Sequence, residues 1–183
     1  MTRPAVPRPV TPKPRAPEFE VLDVDADHIK GAAFNMMFAI WRFHTHYDAY
    51  RGCLHWTDQL AKRHPAGIGV MHVVEPTAIA PEAPTRRLFN DAVRHGGVRH
   101  YSVVHTARGF KAASIRAIVA GSFALARPSA AHAVHTRLDE AAAWHALEQR
   151  RMGRSESAEQ IVRVVEGLRR ALDEQHPLAL HTP

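Results

Sequence analysis

Residues 67–127 hold two short apolar runs, GIGVMHVV (67–74) and RHYSVVHT (99–106), followed respectively by PEAPTRRLFNDAVRH (81–95) and AASIRAIVAGSFALAR (112–127). The runs are rich in β-branched residues and too short for buried helices, so they read as strands. Their successors carry helical spacing, with Leu88, Ala92 and Val93 turned inward in the first. In the second, Ile115, Ile118, Val119, Ser122 and Phe123 spread over a broad face, which predicts a mostly buried helix. Gly96-Gly97 and Pro128 stop the two helices. Strand and helix repeated in this order predict parallel strands joined by right-handed crossovers.

Working outward, Glu18 to Asp25 reads as a strand, Asp27 to Gly31 as a turn, and FNMMFAIWRF (34–43) as a second strand, so the two form an antiparallel hairpin. Thr45 and Asp48 resemble a capping box that opens a helix to about His64, with Tyr47, Tyr50, Leu54, Thr57 and Ala61 on its inner face. Toward the C-terminus, His132 to His135 is a short strand. Thr136 and Asp139 mark the next helix, which would bury Trp144 and Leu147. A last amphipathic helix begins at the capping box Ser157/Gln160 and carries Ile161, Val164, Val165, Leu168 and Leu172 on one stripe. Its cover is either its own sheet or a second protein, a homodimer included. The expected architecture is an α/β sandwich with a mixed, mainly parallel sheet of about five strands and helices packed on it. It divides into a tail (1–17), an α/β domain (18–148) and a helical extension (149–183).

The net charge of +6 is unevenly placed. Residues 1–17 carry Arg3, Arg8, Lys13 and Arg15 with no acid, leaving 20 basic residues against 18 acidic ones for the rest. The folded part is nearly balanced, which argues against nucleic acid as the partner. Prolines at 4, 7, 9, 12, 14 and 17 make the tail extended and disordered. A lone Cys53 rules out a disulfide framework within the chain. No run approaches the ~18 apolar residues of a membrane helix, and MTRPAVPRPV lacks the apolar segment of a secretory signal, so a cytoplasmic location is expected.

Most signatures of catalysis are absent. Gly67-x-Gly69 lies in a strand and lacks a third glycine, and no phosphate loop or Gly-x-Ser-x-Gly elbow occurs. Gly121-Ser122 reads as a place where small residues allow close packing. Asp23, Asp25 and Asp27 alternate at the strand period and read as a solvated face; Cys53 reads as a small buried apolar residue. Among 14 histidines, His44 and His46 are the best metal-ligand pair, being two apart, but no His-Glu-x-x-His or Cys-x-x-Cys pattern completes a site. The remaining histidines read as surface or half-buried. No cofactor and no enzymatic activity are expected.

One turn stands apart. In HTARGFKAASIRAIVAG (105–121), Arg108, Lys111 and Arg116 surround a strand-to-helix turn at the carboxyl end of a parallel strand, where open α/β sheets place their binding crevices. Unpaired N–H groups of the new helix would favour an anion or an acidic partner surface. A phosphate on Ser114 would gain from the same field.

Here the chain resembles the STAS-like group, the anti-sigma-factor antagonist domains and their relatives, over about residues 18–148. Those domains read as an apolar strand, an Asp, a loop and Asp-Ser-Ser-Gly before an apolar helix. Tyr101–Val104 is the matching strand, His105 stands at the first Asp, and Ala113-Ser114-Ile115-Arg116 occupies the second motif, retaining the serine. TARGFKAASIRAIVAGSFALA and VHTRLDEAAAWHAL also resemble an uncharacterised bacterial set of such proteins. The resemblance implies a non-enzymatic regulatory module that binds a protein, of a kinase-like or signalling type, through residues 107–116, with Ser114 as a phosphorylation site. The alternative is a carrier or sensor of a small lipophilic or anionic ligand, its cavity lined by Met36, Met37, Phe38 and Trp41.

Overall fold

The computed structural model describes residues 19–107 and 109–178, and only the backbone of Phe110, Lys111 and Ala112. The tail 1–17 and Arg108 lie outside the described residues. Six strands and five helices follow one another among those described: β1 (Glu20–Val24), β2 (His28–Ala33), β3 (Met36–Trp41), α1 (Tyr47–Arg63), β4 (Ile68–Val74), α2 (Ala83–Val93), β5 (Val98–His105), α3 (Phe110–Ala126), β6 (Ala131–His135), α4 (Leu138–Arg151) and α5 (Ala158–Gln175). The strands make one sheet in the order β1-β2-β3-β4-β5-β6. Pairing is antiparallel from β1 to β3 and parallel from β3 to β6. This is the mixed, mainly parallel α/β sandwich expected, with one strand more.

The additional strand is β2, where a turn was expected at Asp27–Gly31. The expected long strand 34–43 is shorter because its first residues, Phe34 and Asn35, are the two-residue loop between β2 and β3, with Ala33 paired to Met36. Two-residue hairpin loops need positive φ and normally recruit glycine or asparagine for it. Here Phe34 takes that conformation at φ 60. Asn35 is fully buried, donating to Gly67 O at 3.0 Å and accepting from Gln149 Nε2 at 2.7 Å, so tertiary hydrogen bonds hold the turn that local sequence does not advertise.

Successive parallel crossovers share one hand, so sequential strands place their connecting helices on one face. Accordingly α1, α2 and α3 pack together against Met37, Ala39, Trp41, Val70, Tyr101 and Val103. The opposite face, with Met36, Phe38, Ile40, Met71, Val73 and Val104, is covered by α4 and α5. Helix α5 therefore packs on its own sheet: Ile161, Val164, Val165, Leu168 and Leu172 are buried against Ile29, Phe38 and Ile40. Both arms of its Ser157/Gln160 capping box are formed, at 2.8 and 3.3 Å. Arg42 reaches across to His176 O (2.8 Å) and Asp173, and Arg169 bridges Glu75 (2.8 Å) and Glu166 (2.6 Å).

Two helix faces differ from expectation. Helix α1 is capped at His46, not Thr45, and buries Tyr50, Cys53, Thr57 and Leu60, while Tyr47 is exposed. Helix α4 is capped at Arg137 and buries Ala141, Ala142, His145, Ala146, Glu148 and Gln149, leaving Trp144 half-buried and Leu147 exposed. Apolar periodicity misreads α4 because its inward face combines small alanines with His145, Glu148 and Gln149, which hydrogen-bond to His100 and Ser102, to Arg151 and to Asn35.

Candidate functional site: the carboxyl ends of the parallel strands

Strands β5 and β6 both deliver their chain into a helix at the same edge of the sheet, so the amino ends of α3 and α4 open onto one cleft of about 640 Å³. Its lining includes Thr106, Gly109, Arg116, Thr136, Arg137 and Asp139. Gly109 caps α3 at φ 88, a conformation that favours glycine, and a Cβ there would meet open space. Arg116 Nη1 donates to Ala107 O at 3.1 Å, which ties the second turn of α3 back to the end of β5. Arg137 is paired with Asp139 (2.9 Å from Nε) and lies 3.6 Å from Glu140.

Of the four residues named for this turn, Arg116 lines the cleft. Arg108 and the side chain of Lys111 lie outside the described residues. Ser114 is half-buried, and because α3 begins at Phe110, two residues before the expected start, it stands in the second turn. The helix N–H series is already engaged there, the Ala113 N–H donating to Gly109 O at 3.1 Å. The open donors belong to the residues before it.

Helix α3 overturns a second expectation. It carries only Lys111 and Arg116 as charged residues, yet it buries only Ile115, Phe123 and Ala126 among its described side chains. Ala113, Ala117, Ile118, Ala120, Gly121, Ala124 and Leu125 are exposed, Leu125 to 70%. Gly121 does not serve close packing within the chain, since a Cβ on it would meet nothing within 4 Å. Helix α3 packs on α2 and on β5 and β6 through Ile115, Phe123 and Ala126, and its other apolar positions face outward or lie at the edge of that contact.

His44 and His46 lie in the β3–α1 loop with their rings stacked 5.2 Å apart. Asp27 organises them, accepting from the His44 N–H at 3.1 Å and lying 3.1 Å from His46 Nε2. Among the described residues no three His, Cys, Asp or Glu side chains converge as a metal site. The three aspartates do not form a solvated strand face. Asp23 pairs with Lys30, Asp25 closes the β1–β2 turn by accepting from Asp27 and His28 N–H groups, and Asp27 holds the histidine loop.

The other correction concerns the histidines, five of which (His28, His72, His100, His105 and His145) are buried. On the α1–α3 face, Trp41 Nε1 donates to His72 Nδ1 (3.1 Å), His72 Nε2 meets Tyr101 OH (3.0 Å) and Tyr101 OH meets Tyr50 OH (2.9 Å). Burial pushes the His72 imidazole down to about 3 and both phenols well above their ordinary value. On the opposite face, Ser102 Oγ, His145 and His100 form a line with contacts of 2.7 and 2.7 Å. Burial pushes His100 down to about 4 and His145 well below the usual range. These groups are neutral struts between sheet and helix. Nothing in the spacing of single histidines marks them, because each partner comes from another strand or helix.

Gly69 belongs to the same packing. A Cβ there would stand 2.7 Å from His100 Nε2 and 2.8 Å from Nδ1, so the imidazole lies on bare backbone of β4. Gly69→Ala is expected to lower stability by about 1–3 kcal/mol, the usual range for overpacking. Urea unfolding measures this, and an unchanged midpoint would show that the ring can step aside.

Met36, Met37, Phe38 and Trp41, the residues assigned to a ligand cavity, are divided between the two packed cores and are at most 1% exposed. No helix of the described residues is long and apolar enough to cross a membrane. No protein-family model, curated protein or solved structure matches the chain.

Proposed function

We propose that this chain is a non-enzymatic protein-binding module that engages its partner on α3 and on the turn at 107–116 that opens it. The observation that carries the reading is the exposed apolar face of α3 beside the Arg116 cleft. An uninterrupted apolar surface rimmed by polar groups is characteristic of interaction sites. Two further features support it. The resemblance of the sequence around Ser114 to the STAS-like motif supports binding at this turn, and the reading stands whether or not Ser114 is modified. Among the described residues, Lys30 and Ser102 are fully buried and burial pushes the Cys53 thiol up to about 12, so none of these three offers an accessible nucleophile.

The test is site-specific photo-crosslinking in the native cell. A photoreactive residue in place of Ala117 or Thr106 is expected to capture one protein, and Arg116→Glu to weaken that capture by about tenfold or more. The same residue in place of Arg51, exposed on α1, serves as the control. Equal capture from position 51, or none from 106 and 117, overturns the reading.

A further inference from the structure

Helices α2 and α3 leave a groove of about 320 Å³ between them, away from the Arg116 cleft. Ile118, Gly121 and Leu125 of α3 make its apolar floor, and Arg86, Arg87 and Asn90 of α2 its wall. We infer that this groove docks an amphipathic helix of a partner protein, whose apolar residues enter between Ile118 and Leu125 and whose carboxylates meet Arg86 and Arg87. The inference rests on the reading of α3 as the docking face and names the chemistry of what sits there.

Three features select this occupant. The first is charge: no carboxylate lines the groove, and α3 contains no acid from Phe110 to Ala126. Arg86 is held at the rim by donating to Pro81 O (2.8 Å), and Arg94 closes the far end of α3 by donating to Ala126 O (3.0 Å). A second copy of this chain placed face to face would bring these arginines against their own kind, so the complementary surface is acidic. The second is shape. Gly121 stands between the two exposed apolar side chains with open space above it, which makes a notch on the floor for a side chain of the partner. The third is length: Ile118 and Leu125 are seven residues apart, about 10 Å along a helix, matching two anchors one heptad apart on a helical ligand.

Two labelled synthetic helices with identical leucine positions, one flanked by glutamates and the other by lysines, test the proposal by fluorescence anisotropy against the full chain. The glutamate helix is expected to bind about tenfold or more tightly than the lysine helix. Leu125→Glu should weaken the glutamate helix by about tenfold, and the double change Arg86→Glu, Arg87→Glu should reverse the preference. Arg51→Glu, on the exposed face of α1 and outside the groove, should leave both affinities within about twofold. Equal binding of the two helices, no binding of either at roughly 1 mM, or insensitivity to the groove variants overturns the inference. All these variants are exposed or half-buried, and a thermal melt of each confirms the fold. Cellular crosslinks from positions 106 and 117 with no charge preference between the peptides would leave the module standing and remove the groove. Loss of both would remove the module.

Discussion

Lowering the pH from 7 to 5 is expected to remove about 4 kcal/mol of folding stability, a large part of the ~5–15 kcal/mol that holds a domain together. The loss comes from His72 and His100, held down to about 3 and about 4 in the folded chain against 6.5 when unfolded. A group whose folded pKa is depressed gives stability that is intact above the unfolded value and lost as pH falls below it. Here the unfolded chain binds protons from pH 6.5 downward while the folded chain refuses them until about 4 for His100 and about 3 for His72. At pH 5 each imidazole therefore contributes about 2 kcal/mol to the unfolded side. The groups facing them do not offset this. His72 is surrounded by Trp41, Tyr50 and Tyr101, and the nearby Lys30 cation opposes its protonation. His100 faces His145, Trp144 and the backbone of Gly69, with no carboxylate in contact. His28 and His145 are depressed as well and act in the same direction. In urea the unfolding midpoint should fall by ~2 M between pH 7 and pH 5 at constant slope. His72→Phe, which cannot titrate, should lose less stability over that interval than the parent chain, although it strands the Trp41 donor and is less stable at pH 7. A midpoint that does not move between the two pH values would show that the imidazoles reach water or a proton acceptor in the folded chain.

What could be read beforehand follows from where the physics is local. The stretch from β4 to α3 was legible because Pro65, Gly96-Gly97 and Pro128 punctuate it and its strands are short runs rich in valine and other β-formers. The capping box of α5 and its apolar stripe were legible for the same reason, since both repeat within a few residues. The β2–β3 hairpin was not, because Phe34 and Asn35 form a turn only when Gly67 O and Gln149 hold Asn35 from distant parts of the chain. Helix α3 shows the opposite failure. Its apolar content is real, but burial depends on how many neighbours the topology supplies, and α3 has the sheet on one side, α2 on another and no helix beyond. The turn at 107–116 does follow the carboxyl end of the parallel strand β5, whereas the exposed apolar face of α3 and the groove beside α2 needed the packing to be seen.

Asp23→Asn is expected to cost about 3 kcal/mol, because it strands the one lysine of the sheet. Lys30 is fully buried in β2, pointing at α1, where Gly52 comes so close that a Cβ would stand 3.1 Å from its Nζ. The ammonium contacts Asp23 and His28 Nε2 (2.6 Å) and lies 6.0 Å from the Trp41 ring. Burial raises the Asp23 carboxyl, but hydrogen bonds from Lys30 and His28 outweigh that and hold it below the usual carboxylate range. Asp23 is thus an anion in the folded protein at neutral pH, and its side chain, 42% exposed, lets water reach that end of the pair. For this reason the expected loss lies at the lower end of the ~3–5 kcal/mol typical of a broken buried pair. His28 cannot replace the lost charge: burial and the neighbouring ammonium both depress its pKa. If the loss is electrostatic, Lys30→Met should restore most of it in the Asp23→Asn background, since methionine fills the same space without a charge to strand. The double-mutant cycle should then give a coupling of about 2 kcal/mol or more. Additive effects would mean that Asp23 acts through the β1–β2 pairing instead. An Asp23→Asn chain within about 0.5 kcal/mol of the parent would mean that Lys30 is stabilised by the Trp41 face and His28 alone, as a surface-like cation would be.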